Sequence, residues 1–460
     1  MKKKIEHGTG SREAKYVAAK SDINNRRTLC LLLTYAFMLY GAPSHRIEEY
    51  ILQLFKVCDL DGRINYLVGC TEVCFINPPD HNDPLTRQSY TTLVKAQGLD
   101  VGCLEEAFKI YKKVVRQEIN VEEATTELMD VLNGPPYYRP WWIVPFYGLA
   151  SMSACVWAYN GYWTDMPVAL VLGSIVGFLQ VIAAARNPLY ANVLEVSAAL
   201  VTSFAARAIA SIGGGGSQKY FCFGAIAESS ITMILPGYIV LCGALELQAK
   251  SLTAGATRLF YAVIYSLFLG YGINVGSQLW GSADAHATTS ATCPRSVDPK
   301  WKIVLVPFFI AMQAVVLRSR PRQIPVQMIF GSAAYLVNYF VAANATSQVA
   351  NTASALTLGM LGHLYARSRR AFAFASVVAG IMVLVPSGLS AQGGLIAGIE
   401  TPLFNNGTLE AQTVYEQNLY RSFSVGAQMI QVAVGLSVGL FVSALLVYPF
   451  GRKNNALFSF

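Results

Sequence analysis

Met166-Pro167-Val168-Ala169-Leu170-Val171-Leu172-Gly173-Ser174 returns later in the chain as Ile324-Pro325-Val326-Gln327-Met328-Ile329-Phe330-Gly331-Ser332. Each copy runs on into an apolar stretch that ends in small residues, Ala183-Ala184-Ala185 and Ala342-Ala343. A second pair of proline breaks follows, Ile234-Leu235-Pro236-Gly237 and Leu384-Val385-Pro386-Ser387-Gly388. Working outward from these repeats, residues 141–460 read as one unit written twice, with about five stretches of bilayer length per unit. An odd number of crossings puts the second copy in the membrane upside down. Inverted repeats of that kind mark secondary transporters. The expected fold is therefore a polytopic α-helical membrane protein with about ten transmembrane helices in two inverted five-helix repeats.

Composition divides the chain at the same place. Of 460 residues, 53% are hydrophobic and 13% charged, and the mean hydropathy is +0.40. Residues 1–140 carry 18 basic and 18 acidic residues, whereas residues 141–460 carry 17 basic and 9 acidic and so supply the whole net charge of +8. Excess Lys and Arg on an apolar domain follows from the positive-inside rule, and no nucleic-acid partner is needed to explain it. The nine cysteines show no CxxC spacing. Cys70 and Cys74 lack the second cluster that a structural metal site requires. Reduced structural cysteines, no metal and no cofactor are expected. The start, Met1-Lys2-Lys3-Lys4, leads into polar sequence and shows no cleavable signal.

The ten expected spans lie near 142–160, 166–185, 190–211, 220–246, 254–279, 301–317, 324–343, 346–366, 371–399 and 422–448. One set of span ends carries eleven basic residues, among them Arg186, Lys250, Arg318, Arg320, Arg322 and Arg367. The opposite set carries six, beside acids such as Asp165, Asp284 and Asp298. The first set is read as cytosolic, with both termini inside. Two Asn-x-Thr sequons, at Asn344 and Asn406, fall in loops read as outside and would accept glycans there. The long segments 281–300 and 400–420 could cover the outer mouth. Either the plasma membrane or a vacuolar membrane fits this topology.

Residues 1–20 read as a disordered tail and residues 21–140 as a cytosolic α+β domain. Helices are expected over 24–40, after the Gly41-Ala42-Pro43-Ser44 break, from Asp100 to Arg116 and over 122–132. Strands are expected at 64–68, 72–77 and 89–94. His45, Arg46, Glu48 and Glu49 crowd one helical turn, a pattern that more often makes a solvated or docking face than a ligand site. Gly134-Pro135-Pro136 leads to Trp141-Trp142, placed where an interfacial aromatic belt belongs.

Gly41-Ala42-Pro43-Ser44-His45-Arg46-Ile47-Glu48-Glu49-Tyr50, Gly69-Cys70, Ala96-Gln97-Gly98-Leu99-Asp100 and Val121-Glu122-Glu123-Ala124 stand in fixed order. So do Asn187-Pro188, Tyr190-Ala191-Asn192 and the break at Pro236. Together they resemble the threonine/serine exporter family, and are most similar to its fungal branch, the pheromone-regulated membrane protein 10-like proteins. The resemblance covers the chain from about Asn24 to the last span. It implies a cytosolic α+β domain fused to ten spans and, in bacterial members, export of threonine and serine driven by the proton gradient.

Charges inside a membrane are costly and are usually functional or paired. Glu228 lies eight residues before Pro236, about 12 Å along a helix, and is the candidate proton-coupling group; a carboxylate fixed by Arg207 is the alternative. Glu195, near Asn187 and Asn192, is a second candidate for coupling or for the substrate amine, with an interfacial solvated charge as its alternative. Glu246 and His363 are expected to reach the cytosolic boundary. The paired breaks Pro236-Gly237 and Pro386-Ser387-Gly388 would expose half-helix ends able to hold an amino acid's carboxylate and ammonium; plain proline kinks are the alternative. Gln278, Asn338, Gln428 and Gln431 could line a path. The Gly213–Gly216 run has no preceding strand and no following Lys-Ser/Thr, so it is a flexible hairpin and not a phosphate loop. An exporter of small polar amino acids working with protons in a lipid bilayer is the leading expectation, with self-association left open. The rivals are a membrane hydrolase using the soluble domain and an uncoupled channel or membrane-fusion factor. The sequence shows no intramembrane Asp pair and no HExxH, so no enzyme is expected.

Overall fold

A computed structural model describes residues 6–76, 88–94, 98–212, 220–284, 287, 293, 295–369, 372–391 and 410–448; within 6–21, 386–391 and 410–426 only the backbone is described. The chain divides into two compact units that part between Pro135 and Pro136.

The first unit is α+β. Helices α1 (Glu6–Leu39) and α2 (Ser44–Val57) precede strands β1 (Gly62–Leu67), β2 (Cys70–Ile76) and β3 (Gln88–Val94), and α3 (Val101–Val115) and α4 (Val121–Asn133) close it. The strands form an antiparallel meander in the order β1-β2-β3, with Ile64 opposite Val73 and Val73 opposite Thr91. Phe37, Tyr50, Phe108 and Tyr111 stack into one aromatic core with ring centroids 5.1–6.0 Å apart. Burial pushes the Tyr50 and Tyr111 phenols up, so both stay neutral core residues. Asp100 caps α3 by accepting the Cys103 N–H at 3.0 Å. Strands and helices lie within a few residues of the expected positions. The expected disordered tail is different: α1 begins at Glu6, in keeping with the strong helix formers Ala14, Ala18, Ala19, Lys15 and Lys20.

Gly41 shows why the motif between α1 and α2 is spelled as it is. Its φ is +86°, and a Cβ there would run into the Gly98 carbonyl oxygen. Pro43 then supplies the extended N-cap of α2 at φ −61°, ψ 142°. Left-handed backbone costs a non-glycine residue about 1–2 kcal/mol even before the clash. Gly41→Ala is expected to raise amide exchange in the α1–α2 segment about tenfold or more, read by hydrogen-exchange mass spectrometry, while β1–β2 peptides change less.

The second unit is helical. It holds α5 (Pro140–Trp157), α6 (Asp165–Phe178), a π turn (Leu179–Ala183), α7 (Ala184–Arg186), α8 (Pro188–Ala191) and α9 (Leu194–Ala210). Then come α10 (Phe223–Ile231), a 3-10 turn (Thr232–Ile234), α11 (Gly237–Gln248) and α12 (Leu252–Ala283). After the Pro299–Trp301 turn follow α13 (Lys302–Val316), α14 (Ile324–Ala342), α15 (Ser347–Arg369), α16 (Ala373–Ala391) and α17 (Glu410–Val447). Five stretches are long and apolar enough to cross a membrane: Asp165–Arg186, Leu252–Ala283, Pro299–Val316, Ile324–Ala342 and Ala427–Val447. A sixth is reached if α10 and α11, bent by 54° at their break, count as one span. Helices also stand at the other expected positions but fall short by that measure; α9 has only 17 residues, and α15 is rich in Ser, Thr, Asn and Gln. Only 28–39% of each spanning window is buried, so apolar side chains such as Ile303, Ile329 and Phe340 point outward. A water-soluble protein could not leave that much apolar surface exposed; a bilayer covers it.

The two halves of this unit pack alike. The α9 helix lies along α12 and α15 along α17, while α6 meets α10 and α14 meets α16. The α5–α6 and α13–α14 turns each carry a left-handed residue, Asn160 (φ 55°) and Arg318 (φ 57°), in the same register as Met166 and Ile324. Close helix approach is built into both halves by a Gly-xxx-Gly pair. Gly272 and Gly276 press on the α9 backbone, and Gly435 and Gly439 press on α15.

Candidate transport site

The site is organised by the interruption between α10 and α11. Leu235 is extended (φ −59°, ψ 139°), as a residue before proline must be, and Pro236 (φ −76°, ψ 28°) cannot continue the ladder. A new helix starts at Gly237, with Val240 N–H donating to the Pro236 carbonyl at 3.0 Å. Every residue of α10 is buried, Glu228 with them at 6% exposure. Glu228 is therefore enclosed almost entirely by protein. One turn on, Thr232 Oγ1 donates to the Glu228 carbonyl at 2.9 Å and sits 3.0 Å from the Tyr159 hydroxyl, and Glu228 lies within electrostatic reach of that phenol.

The two expected breaks come together in space, but only one is a break. An ideal Cβ on Gly237 would lie 2.9 Å from Val385 Cγ1, which puts the first interruption against the residue preceding Pro386. The α16 backbone, however, stays helical through Pro386, Ser387 and Gly388 to Ala391. A proline removes one backbone hydrogen bond, and neighbouring membrane helices can absorb that loss. The ideal Cβ of Gly237 is also 3.3 Å from Val385 Cβ, close to the roughly 3.5–4.5 Å a disulfide spans. The pair G237C/V385C is expected to cross-link under mild oxidation and to stop any motion of α11 against α16; transport lost on oxidation and regained on reduction checks this.

Other expected site residues separate from this centre. Arg207 is nearly fully buried, and its guanidinium donates to the Ser277 carbonyl and, at 3.1 Å, to Ser277 Oγ, tying α9 to α12. Glu195 is half-buried in the first turn of α9, and its charge acts on Tyr261 and Tyr265 of α12. Asn187 is exposed and caps α8, its Oδ1 accepting the Leu189 and Tyr190 N–H groups at 3.0 and 3.4 Å. Asn192 is exposed at the other end of α8. Gln278 bonds within its own helix to Asn274, Asn338 bonds to Asn351 at 2.9 Å, and Gln431 is exposed. In the α+β unit Arg46 pairs with Glu49 one turn on, and His45 and Glu48 are half-buried beside it. Asn344 is exposed in the α14–α15 turn, as glycosylation requires. Asn406 and Gly213–Gly216 lie outside the described residues. Among the described residues no group of three potential metal ligands converges.

Three findings go beyond the expectations or correct them. Glu246 is wholly buried, and Arg258 Nε stands 2.9 Å from its carboxylate. The reason is the α11–α12 hairpin, where Gly243 and Gly255 let the backbones touch and seal the pair between them. His363 is also wholly buried, its ring 5.5 Å from that of Tyr448. Finally, not all cysteines are reduced, for Cys222 and Cys293 form a disulfide. Beside it the buried Asp165 accepts N–H bonds from Tyr162 at 2.8 Å and Cys222 at 3.0 Å. A signal for the disulfide was present, since Cys293 lies in the segment 281–300 read as outside and Cys222 at the outer start of the span expected over 220–246, the side on which disulfides persist.

An all-helical unit with outward-facing apolar surface and a broken helix defines an integral membrane protein. The family described as "Putative threonine/serine exporter" matches residues 28–280, and "Threonine/Serine exporter, ThrE" matches residues 302–446. The chain belongs to the threonine/serine exporter family. It is 44% identical over 456 residues to an uncharacterized protein of Schizosaccharomyces pombe, covering 97% of this chain and 59% of the relative. To the pheromone-regulated membrane protein 10 of Yarrowia lipolytica it is 40% identical over 484 residues, covering 97% and 39%. To that of Saccharomyces cerevisiae it is 39% identical over 451 residues, covering 97% and 57%. The chain thus spans about two fifths to three fifths of the length of these relatives. No solved structure matches it.

Proposed function

We propose that this chain is a secondary transporter that exports small polar amino acids, threonine and serine among them, by coupling to protons. The observation that carries the reading is Glu228: a carboxylate enclosed by protein, eight residues before the Pro236 break in a bent helix pair. Burying a charge inside a membrane protein is costly, so a carboxylate kept there is a candidate for work in the transport cycle. In this reading the first turn of α11, which starts at Gly237, meets the substrate carboxylate.

In this reading the unit from Pro136 onward holds ten spans as two inverted five-helix repeats, and alternating access comes from one repeat rocking against the other. The like packing of α9 with α12 and of α15 with α17 supports the repeat. The Cys222–Cys293 disulfide supports the side assignment, because Cys293 falls in the segment read as outside and Cys222 at the outer end of the span expected over 220–246. The α+β unit and both termini are then cytosolic, in a plasma or vacuolar membrane, and Asn344 is open to glycosylation. Efflux of preloaded labelled threonine and serine from cells that express the chain tests the reading. Faster efflux than in cells expressing Glu228→Gln is expected, and equal efflux from both would count against it.

A further inference from the structure

We propose that the Cys222–Cys293 disulfide and Asp165 form a fixed anchor that positions the Glu228 half-helix, leaving the Leu235–Pro236 joint as the element that moves. The inference rests on the carrier reading and deepens it. Five attachments bind α10 to the α5–α6 turn or its surroundings. The disulfide joins Cys222, the residue that opens α10, to Cys293 in the segment between the two halves. Cys293 Sγ itself lies 3.8 Å from the Tyr159 carbonyl at the end of α5. Asp165 Oδ1 accepts the Cys222 N–H at 3.0 Å while its Oδ2 holds the Tyr162 N–H at 2.8 Å, so one buried carboxylate grips both sides of the seam. Thr164 Oγ1 donates to the Tyr220 carbonyl at 2.9 Å. At the far end of α10, Thr232 meets the Tyr159 hydroxyl at 3.0 Å.

Beyond the joint the attachments change. The α11 helix packs on α12 through Gly243 and Gly255 and shares the Glu246–Arg258 pair with it. Two rigidly held segments therefore meet at Leu235–Pro236, where the axis bends by 54°. The equivalent seam in the other half, between the α13–α14 turn and α16, is held by Gln327 donating to Ser319 Oγ and the Ala375 carbonyl. The anchored seam and the hydrogen-bonded seam are thus not equivalent. A carrier that opens to two sides in turn can yield at the second and at the joint while α10 stays in place.

Cys155 is a native reporter of the anchored seam. It is fully buried on α5, and a Cβ on Gly161 would meet both its Sγ at 2.7 Å and Ala225 of α10 at 3.0 Å. The test is N-ethylmaleimide labelling of Cys155 in the full chain, mapped by mass spectrometry, at rest and during threonine flux under a pH gradient. Cys155 is expected to stay protected in the wild-type chain in both conditions, and to label about tenfold faster or more in Cys222→Ser/Cys293→Ser. Asp165→Asn, which keeps both cysteines, should give a smaller rise in the same direction and serves where the double variant does not fold. Equal protection in wild type and both variants, or wild-type labelling that rises during flux, would overturn the anchor. A wild-type chain that carries no threonine yet shows disulfide-dependent protection supports the anchor and sinks only the carrier reading.

Discussion

In Glu228→Gln, accumulation of substrate against its gradient is expected to disappear while exchange of internal for external substrate continues. One pH unit is worth about 1.4 kcal/mol per proton, so a carrier moving one proton per substrate can build at most about a tenfold gradient from it. Glutamine keeps the shape and hydrogen-bonding ability of a protonated glutamate but has no proton to give up, and the ratio should fall to one. Glu228 is suited to this test because its backbone is already satisfied: Thr232 Oγ1 bonds its carbonyl, and all of α10 is buried. The change should leave folding intact, which a monodisperse purified variant would verify. Undiminished accumulation would remove Glu228 from the coupling role and move attention to Glu195.

The second large effect is on stability. Removing one partner of the Glu246–Arg258 pair takes the opposite charge at 2.9 Å away from a group buried between α11 and α12. Breaking a buried pair this way costs about 3–5 kcal/mol. Glu246→Ala and Arg258→Ala should each lower the thermal midpoint of the detergent-solubilised protein by many degrees or prevent its isolation. The double change Glu246→Leu/Arg258→Met should recover most of that loss, since no charge remains buried. If the double variant is as unstable as the singles, the pair acts through something other than its charges. If the double variant is stable but does not transport, the pair serves the cycle and not only the hairpin.

How much of this was legible beforehand varied with the physics involved. The apolar segments and the α+β unit follow from periodicity and composition, and the strands at 62–67, 70–76 and 88–94 fall close to where alternation places them. Gly41 and Pro43 were legible as a break because both act through their own backbone. Pro386 was misread for a related reason: local sequence reports what a proline removes but not what neighbouring helices restore. Partners across the fold were the main blind spot. Arg207 bonds to Ser277, some 70 residues away in sequence, a partner that its own segment does not report. Glu246 likewise finds its cation on the next helix. The Gly272-xxx-Gly276 and Gly435-xxx-Gly439 pairs are close-packing motifs whose partner helices, α9 and α15, only the fold reveals.

The most direct test of the central claim is uptake of labelled threonine and serine by proteoliposomes of the purified chain under an imposed pH gradient. The account predicts accumulation that collapses on adding a protonophore and is absent in Glu228→Gln. Folded, inserted protein that accumulates neither amino acid, with or without the gradient, would contradict it.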